Sequence, residues 1–268
     1  MTKTVAEPGP GWHCWTIGPA AALDMADGVW RLALAGATEH AYSNAQIDDY
    51  GFSPRAEFGW RPPVQLTVRA RFSHPAERLR GTAGFGFWNR PTAWSRRHPP
   101  ALPAATWFFF ASPPSNLALD AGVPGHGWKA ATIEARWRSA LPLLPWLALS
   151  APAMHSLRLR RRLWPVAQRA FHIREALLDV DMTAWHTYRL EWQAAGSRFS
   201  VDDRVALDGA PSPRGPLGFV LWLDNQYAIV TPWGRVSAGL ISCSGEQWLE
   251  ISEIDLTNTI STEEAIIS

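Results

Sequence analysis

The segment 185–224, WHTYRLEWQAAGSRFSVDDRVALDGAPSPRGPLGFVLWLD, constrains the fold more than any other part of this chain. Tyr188, Leu190 and Trp192 alternate with Arg189 and Glu191, the period of two expected of a strand with one buried face. Ala195-Gly196-Ser197 supplies a turn. Phe199 and Val201 then alternate with Ser200 and Asp202. A connection holding Pro211, Pro213, Gly215 and Pro216 leads into Leu217–Leu223, which is mostly apolar, as in a strand buried on both faces. Three successive strands are predicted here.

Short apolar or alternating runs predict further strands at Val29–Ala35, Val64–Phe72, Gly84–Asn89, Thr106–Ala111, Leu117–Leu119, Ala130–Trp137, Ala228–Thr231, Ser237–Ile241 and Gln247–Leu256. Residues 1–20 read as a segment wrapping the edge. AYSNAQIDDYGFSPRAEFGWRPP reads as a strand edge plus loop, residues 90–104 as a long Pro-rich loop, and STEEAIIS as a tail. Residues 138–180 break the pattern. They contain a Pro-interrupted apolar run, the arginines Arg158, Arg160, Arg161 and Arg162, and a helix with Pro165 in its first turn, where the missing N–H is harmless. Val166, Ala170, Ile173 and Leu177 follow helical spacing. The expectation is one domain over 1–268, with a partly helical insertion at 138–180.

The strand W-H-x-Y-x-x-E-W (Trp185, His186, Tyr188, Glu191, Trp192), followed by F-x-V-D (Phe199, Val201, Asp202), resembles the concanavalin A-like lectin/glucanase superfamily. Asp203 stands where a turn Gly is usual. The resemblance implies an all-β, jelly-roll β-sandwich of two antiparallel sheets, and it implies carbohydrate recognition. Glucanases of this superfamily carry E-[ILV]-D-x-x-E, which presents alternate carboxylates to the cleft. The nearest string here is Glu253-Ile254-Asp255, on the last strand and without its third acid. TWFFFASPPSNLAL, after the Gly84–Asn89 strand, has no carboxylate before Asp120. Retaining hydrolysis of that type is therefore not expected.

Composition narrows the partners. With 25 Lys+Arg against 24 Asp+Glu the net charge is +1, so no global field favours nucleic acid. Cys14 and Cys243 have no metal-ligand spacing, and neither a metal nor a cofactor is expected. The first fifteen residues lack the apolar core of an export signal, and a cytoplasmic location is the expectation. Sixteen Trp residues are far above ordinary usage. They serve as core filler or as stacking platforms for sugars and other flat or apolar ligands.

Strand parity places Gly84, Gly86 and Trp88 on one face, and Gly218, Val220, Trp222 and Asp224 on one face of another strand. Together they predict a floor with aromatic walls or, equally, two Trp packed beneath a covering segment. Candidate acids are Asp224, Asp49 and Asp48. A carboxylate beside Trp has a raised pKa and can act as a general acid. Candidate ligand contacts are Trp88, Asn89, Asn116, Trp128, Lys129, Trp222, Asn225, Gln226, Tyr227 and Tyr50. The functional expectation is a small-molecule-binding protein, an enzyme working by acid–base chemistry on an apolar or glycosidic ligand, for example by cyclisation or isomerisation. The alternatives are a non-catalytic lectin-like module and a membrane-peripheral protein acting through Arg158, Arg160, Arg161 and Arg162.

Overall fold

Two seven-stranded antiparallel sheets pack face to face in the structure, a computed structural model that describes residues 11–25, 28–91, 101–117, 119–120, 122–150 and 152–258. The front sheet runs β1 (His13–Ile17), β4 (Asn44–Asp48), β14 (Gly218–Asp224), β6 (Thr82–Trp88), β7 (Ala104–Ala111), β9 (Gly127–Glu134), β10 (Arg174–Leu177). The back sheet runs β13 (Arg204–Ala210), β12 (Gly196–Val201), β11 (His186–Gln193), β5 (Val64–Phe72), β17 (Glu246–Asn258), β3 (Trp30–Ala35), β2 (Ala20–Asp24). A small third sheet joins β16 (Val236–Leu240), β15 (Gln226–Val230) and β8 (Asn116–Leu117). Two helices, α1 (Trp137–Ser150) and α2 (Leu157–Ala170), lie between β9 and β10. This is the jelly-roll β-sandwich that the sequence predicts.

Alternation explains the core. On β5, Val64, Leu66, Val68, Ala70 and Phe72 are all buried, while Gln65, Arg69 and Arg71 face outward. Phe85, Phe108 and Trp128 of the front sheet converge on Tyr188 of the back sheet, with ring centroids 5.2, 5.1 and 5.5 Å from it. Such edge-to-face contacts add to the hydrophobic gain of burying the rings. Trp192 is buried too, and its indole N–H donates to the Pro213 carbonyl at 2.8 Å. The β12–β13 hairpin turns on Asp202 and Asp203, both with positive φ. A two-residue turn of that hand suits the strand twist, and Asp tolerates it where Gly is usual.

Several expectations change. Segment 185–224 holds four strands rather than three, because Arg204–Ala210 pairs with β12. The last of the four crosses to the front sheet. Asn44–Asp48 is an interior strand, between β1 and β14. Helix α2 starts at Leu157, so Pro165 lies inside it. Residues 174–177 form an edge strand on β9 instead of continuing that helix. There Ala176 packs on the core and Glu175 meets Lys129, contacts that outweigh helical spacing. Residues 1–10, the Pro-rich stretch 92–100, the tail 261–268 and the Arg160 side chain lie outside the described residues.

Candidate functional site

The outer face of the front sheet carries an aromatic stripe, built from strand parity. On β14 the residues turned away from the core are Gly218, Val220, Trp222 and Asp224; on β6 they are Thr82, Gly84, Gly86 and Trp88. Trp222 sits opposite Gly84, and Trp107 of β7 opposite Gly86. A Cβ on Gly86 would lie 2.6 Å from the Trp107 Cα, one on Gly84 2.9 Å from the Trp222 ring, and one on Gly218 2.2 Å from Tyr50 Cδ1. Each glycine is thus a slot that lets a neighbouring aromatic residue lie close to the sheet. Trp88 and Trp222 are nearly parallel, 8° apart with centroids separated by 6.5 Å. Trp107 lies 6.0 Å from Trp88 and 5.2 Å from Trp222, and stacks on Phe109 at 5.3 Å. Phe58 stacks on Tyr50 at the other end. Trp88 and Trp107 are half-buried, whereas Trp222 is buried beneath them.

The indole N–H groups are tied down from within the fold. Trp88 Nε1 donates to Tyr50 Oη at 2.7 Å. Gln46 Nε2 donates to the same oxygen and, at 2.6 Å, to Asp48 Oδ2. Burial, and then the Asp48 charge, push the Tyr50 hydroxyl pKa well up, so it stays protonated. Trp222 Nε1 donates to Thr82 Oγ1 at 2.9 Å, and that hydroxyl donates to Asp224 Oδ1 at 2.8 Å. The two rings are therefore held by hydroxyls linked to carboxylates, and both indole donors are spent within the fold.

The three candidate acids act as anchors. Asp224 is buried; it also accepts from the Thr82 and Gln226 backbone N–H groups and from the Tyr42 hydroxyl. Burial raises its pKa to about 6 against those stabilising donors. Asp49 accepts from the Trp60 indole and from the Phe219 N–H, and burial lifts it likewise to about 6. Asp48, fully buried, accepts from the Tyr50 and Gly51 N–H groups besides Gln46. Burial thus raises the pKa values of Asp224 and Asp49, both engaged in holding the sheet.

Of the other candidates, Trp128 is a correction. It points into the core, where Phe72, Phe85 and Phe108 surround it, because β9 begins at Gly127 and extended parity sends its neighbour Lys129 the other way. Lys129 is no rim residue either. It is fully buried, with Nζ 3.2 Å from Glu175 Oε2 and 3.4 Å from the Leu117 carbonyl. Asn225 is fully buried, and its amide is spent on four backbone groups. Asn89 uses its amide to hold the Leu102 carbonyl and the Ala104 N–H. Asn116 and Tyr227 belong to the third sheet, where the Tyr227 ring packs on Gly239. Gln226 is exposed and gives its N–H to Asp224. Trp88, Trp222 and Tyr50 come together. Trp107 and Phe109 join them unanticipated, because TWFFFA is apolar at nearly every position and its outward side is unmarked. The pairing of Trp107 with Gly86 was the available signal.

A cavity of about 260 Å³ opens beyond the Trp88 end, lined by Arg55, Asn89, Glu134 and Leu217 among others. Glu134 accepts there from Arg136 and from the Arg214 N–H. Glu253 and Asp255 stand on β17 in the opposite sheet. Among the described residues, no group of three or more His, Cys, Asp or Glu is placed to hold a metal ion.

No family model and no curated protein matches the chain. Solved structures do. A glycoside hydrolase family 16 endo-glucanase from Bacteroides ovatus is 11% identical, with 95% of this chain and 97% of that one covered and a TM-score of 0.44. A protein described as an immunostimulatory antigen and pseudo beta-1,3-glucanase of Mycobacterium tuberculosis is 12% identical over 95% and 94%, with a TM-score of 0.47. A sialidase matches over 93% of this chain, which spans only 17% of that chain's length (5% identity, TM-score 0.45).

Proposed function

We propose that the outer face of the front sheet binds carbohydrate by stacking sugar rings on Trp88 and Trp107, and does not hydrolyse it. One observation carries this reading: the half-buried Trp88 and Trp107 rings stand together on the outer face of the front sheet, with the Trp88 N–H consumed inside the fold. A flat aromatic face complements the C–H face of a pyranose, above all a β-linked gluco-configured sugar whose hydroxyls are equatorial and leave the ring face apolar. Glycoside hydrolysis instead needs two carboxyl groups flanking the scissile bond. The outward positions of β7 carry Trp107, Phe109 and Ala111. Among the described strand residues of this face, the acids Asp48, Asp224 and Glu175 are each buried and engaged.

The test is calorimetric titration with β-linked gluco-oligosaccharides, beside a panel of polycyclic and isoprenoid compounds. Trp88→Ala and Trp107→Ala should each weaken oligosaccharide binding by about ten-fold or more, in line with the energetics of buried aromatic contacts. Asp224→Asn should leave it intact, and no reducing ends should appear on long incubation. Heat released only by the apolar compounds, or sugar turnover that depends on Asp224, would contradict the proposal.

A further inference from the structure

We infer that the two-helix insertion is a docking surface for an anionic lipid bilayer. Between Glu134 and Glu175 the chain has no acidic residue, and it carries eight arginines: Arg136, Arg138, Arg158, Arg160, Arg161, Arg162, Arg169 and Arg174. The whole chain has 25 basic against 24 acidic residues; without those eight the count is 17 against 24. The segment 135–174, which holds both helices, thus carries +8 against −7 for the rest of the chain, with Arg136 of that segment paired to Glu134, a separation of charge that turns the helices toward a negative surface.

The helices add an apolar component. At about 100° per residue, Trp137, Leu141, Pro145, Ala148 and Leu149 fall on one arc of α1. All five are exposed, with Trp137 at 51%, Leu141 at 58% and Leu149 at 84%. The opposite side of α1 holds Leu143 and Trp146, partly buried, and Trp146 packs against the cluster of Trp164 and Ala167. Helix α2 seats itself through those two buried residues, and the Trp164 indole donates to the Leu119 carbonyl at 2.7 Å. Its exposed side carries Arg158, Arg161, Arg162 and Arg169, flanked by Leu159 and Val166. Trp137, Leu141 and Leu149 of α1 are thus turned outward while Leu143 and Trp146 are turned in.

Neither helix is long and apolar enough to cross a membrane. Arginines beside exposed Leu and Trp are instead the pattern of helices that lie in the interface, with aliphatic groups among acyl chains and cations at the headgroups. Nucleic acid would use the arginines and leave Leu141 and Leu149 without a partner. A second copy joined through the same surface would set +8 against +8.

The experiment is co-sedimentation of the full chain with phosphatidylcholine vesicles, with and without phosphatidylglycerol. Binding to the anionic vesicles should be at least about ten-fold tighter. Arg158→Gln, Arg161→Gln and Arg162→Gln together should weaken it roughly a hundred-fold, as expected for three cations near an anionic surface. Leu141→Ser with Leu149→Ser, which leaves charge unchanged, should weaken it comparably. All five positions are exposed, and near-UV circular dichroism checks that the fold is kept. Trp107→Ala should sediment like the parent, which separates this surface from the sugar face. The inference is overturned by equal partition onto both vesicle types, by indifference to both sets of substitutions, by retention on polyglutamate or RNA without vesicle binding, or by a dimer that Leu149→Ser dissolves.

Discussion

Replacing Asp224 with Asn is expected to stabilise the protein at neutral pH, by on the order of 2 kcal/mol. In the fold its pKa is about 6, against an ordinary 3.8, and burial is the largest cause. The folded state therefore holds the proton more tightly than the unfolded one. This contribution is fully present below the unfolded pKa and is lost as pH rises through the folded one, so it declines between about pH 4 and 6. Above that range the wild type carries a buried charge that four donors only partly compensate. An amide fits the same contacts: its oxygen accepts from Thr82 and Gln226, and its nitrogen donates to the Tyr42 hydroxyl. Urea melts of both proteins at pH 5 and pH 7.5 measure the difference, which should be larger at the higher pH. A variant less stable at pH 7.5 would mean that the ionised carboxylate, rather than its cost, dominates this corner.

Asn225→Ala is expected to destabilise the fold by about 2–3 kcal/mol, a large effect for a single substitution. The side chain is fully buried. Its oxygen accepts from the Ser43 N–H at 2.9 Å, and its NH₂ serves the carbonyls of Thr38, Ala41 and Ile241 at 2.8, 3.0 and 3.2 Å. These groups belong to the approach to β4 and to the segment after β16, so one amide joins the end of β14 to two separate stretches. Truncation leaves the N–H of the fully buried Ser43 without its acceptor, at about 1–3 kcal/mol, and takes a donor from three more accessible carbonyls, of which Thr38 keeps the Ala41 N–H. Asn225→Asp should be nearly as harmful, because a carboxylate cannot donate to three carbonyls. Denaturant melts read the loss, and a change under 1 kcal/mol would show that these backbone groups have other partners.

These neighbouring residues show where sequence reasoning stops. In LDNQY, polar groups at the end of an apolar strand look like a binding rim, yet Asp224 and Asn225 serve hydroxyls and backbone groups up to 187 residues away in the chain. No local pattern records such a convergence. What parity does record is legible: β5 and β11 alternate cleanly because each has one wet face, and GFGFW and GFVLW place Trp88 and Trp222 on a common face. Parity fails where both faces are apolar, which hid Trp107 in β7. It also fails when a strand start is misplaced: a strand begun at Ala130 left Trp128 and Lys129 outside it, among the ligand contacts. Strands β1 and β2 escaped because HCWTI and AAALD are short and carry little of the β-branched and aromatic alternation that marks β5.

The central claim, that the aromatic stripe is the sugar-binding face, is tested most directly by the indole region of a ¹H–¹⁵N correlation spectrum. Each of the sixteen Trp residues gives one signal there, assignable by single Trp→Phe variants. Titration with a β-linked gluco-oligosaccharide should move the Trp88, Trp107 and Trp222 signals, and leave those of Trp128 and Trp192, in the core, and of Trp137, on α1, where they are. Movement confined to the Trp137, Trp146 and Trp164 signals, or no movement at saturating sugar, would contradict the account.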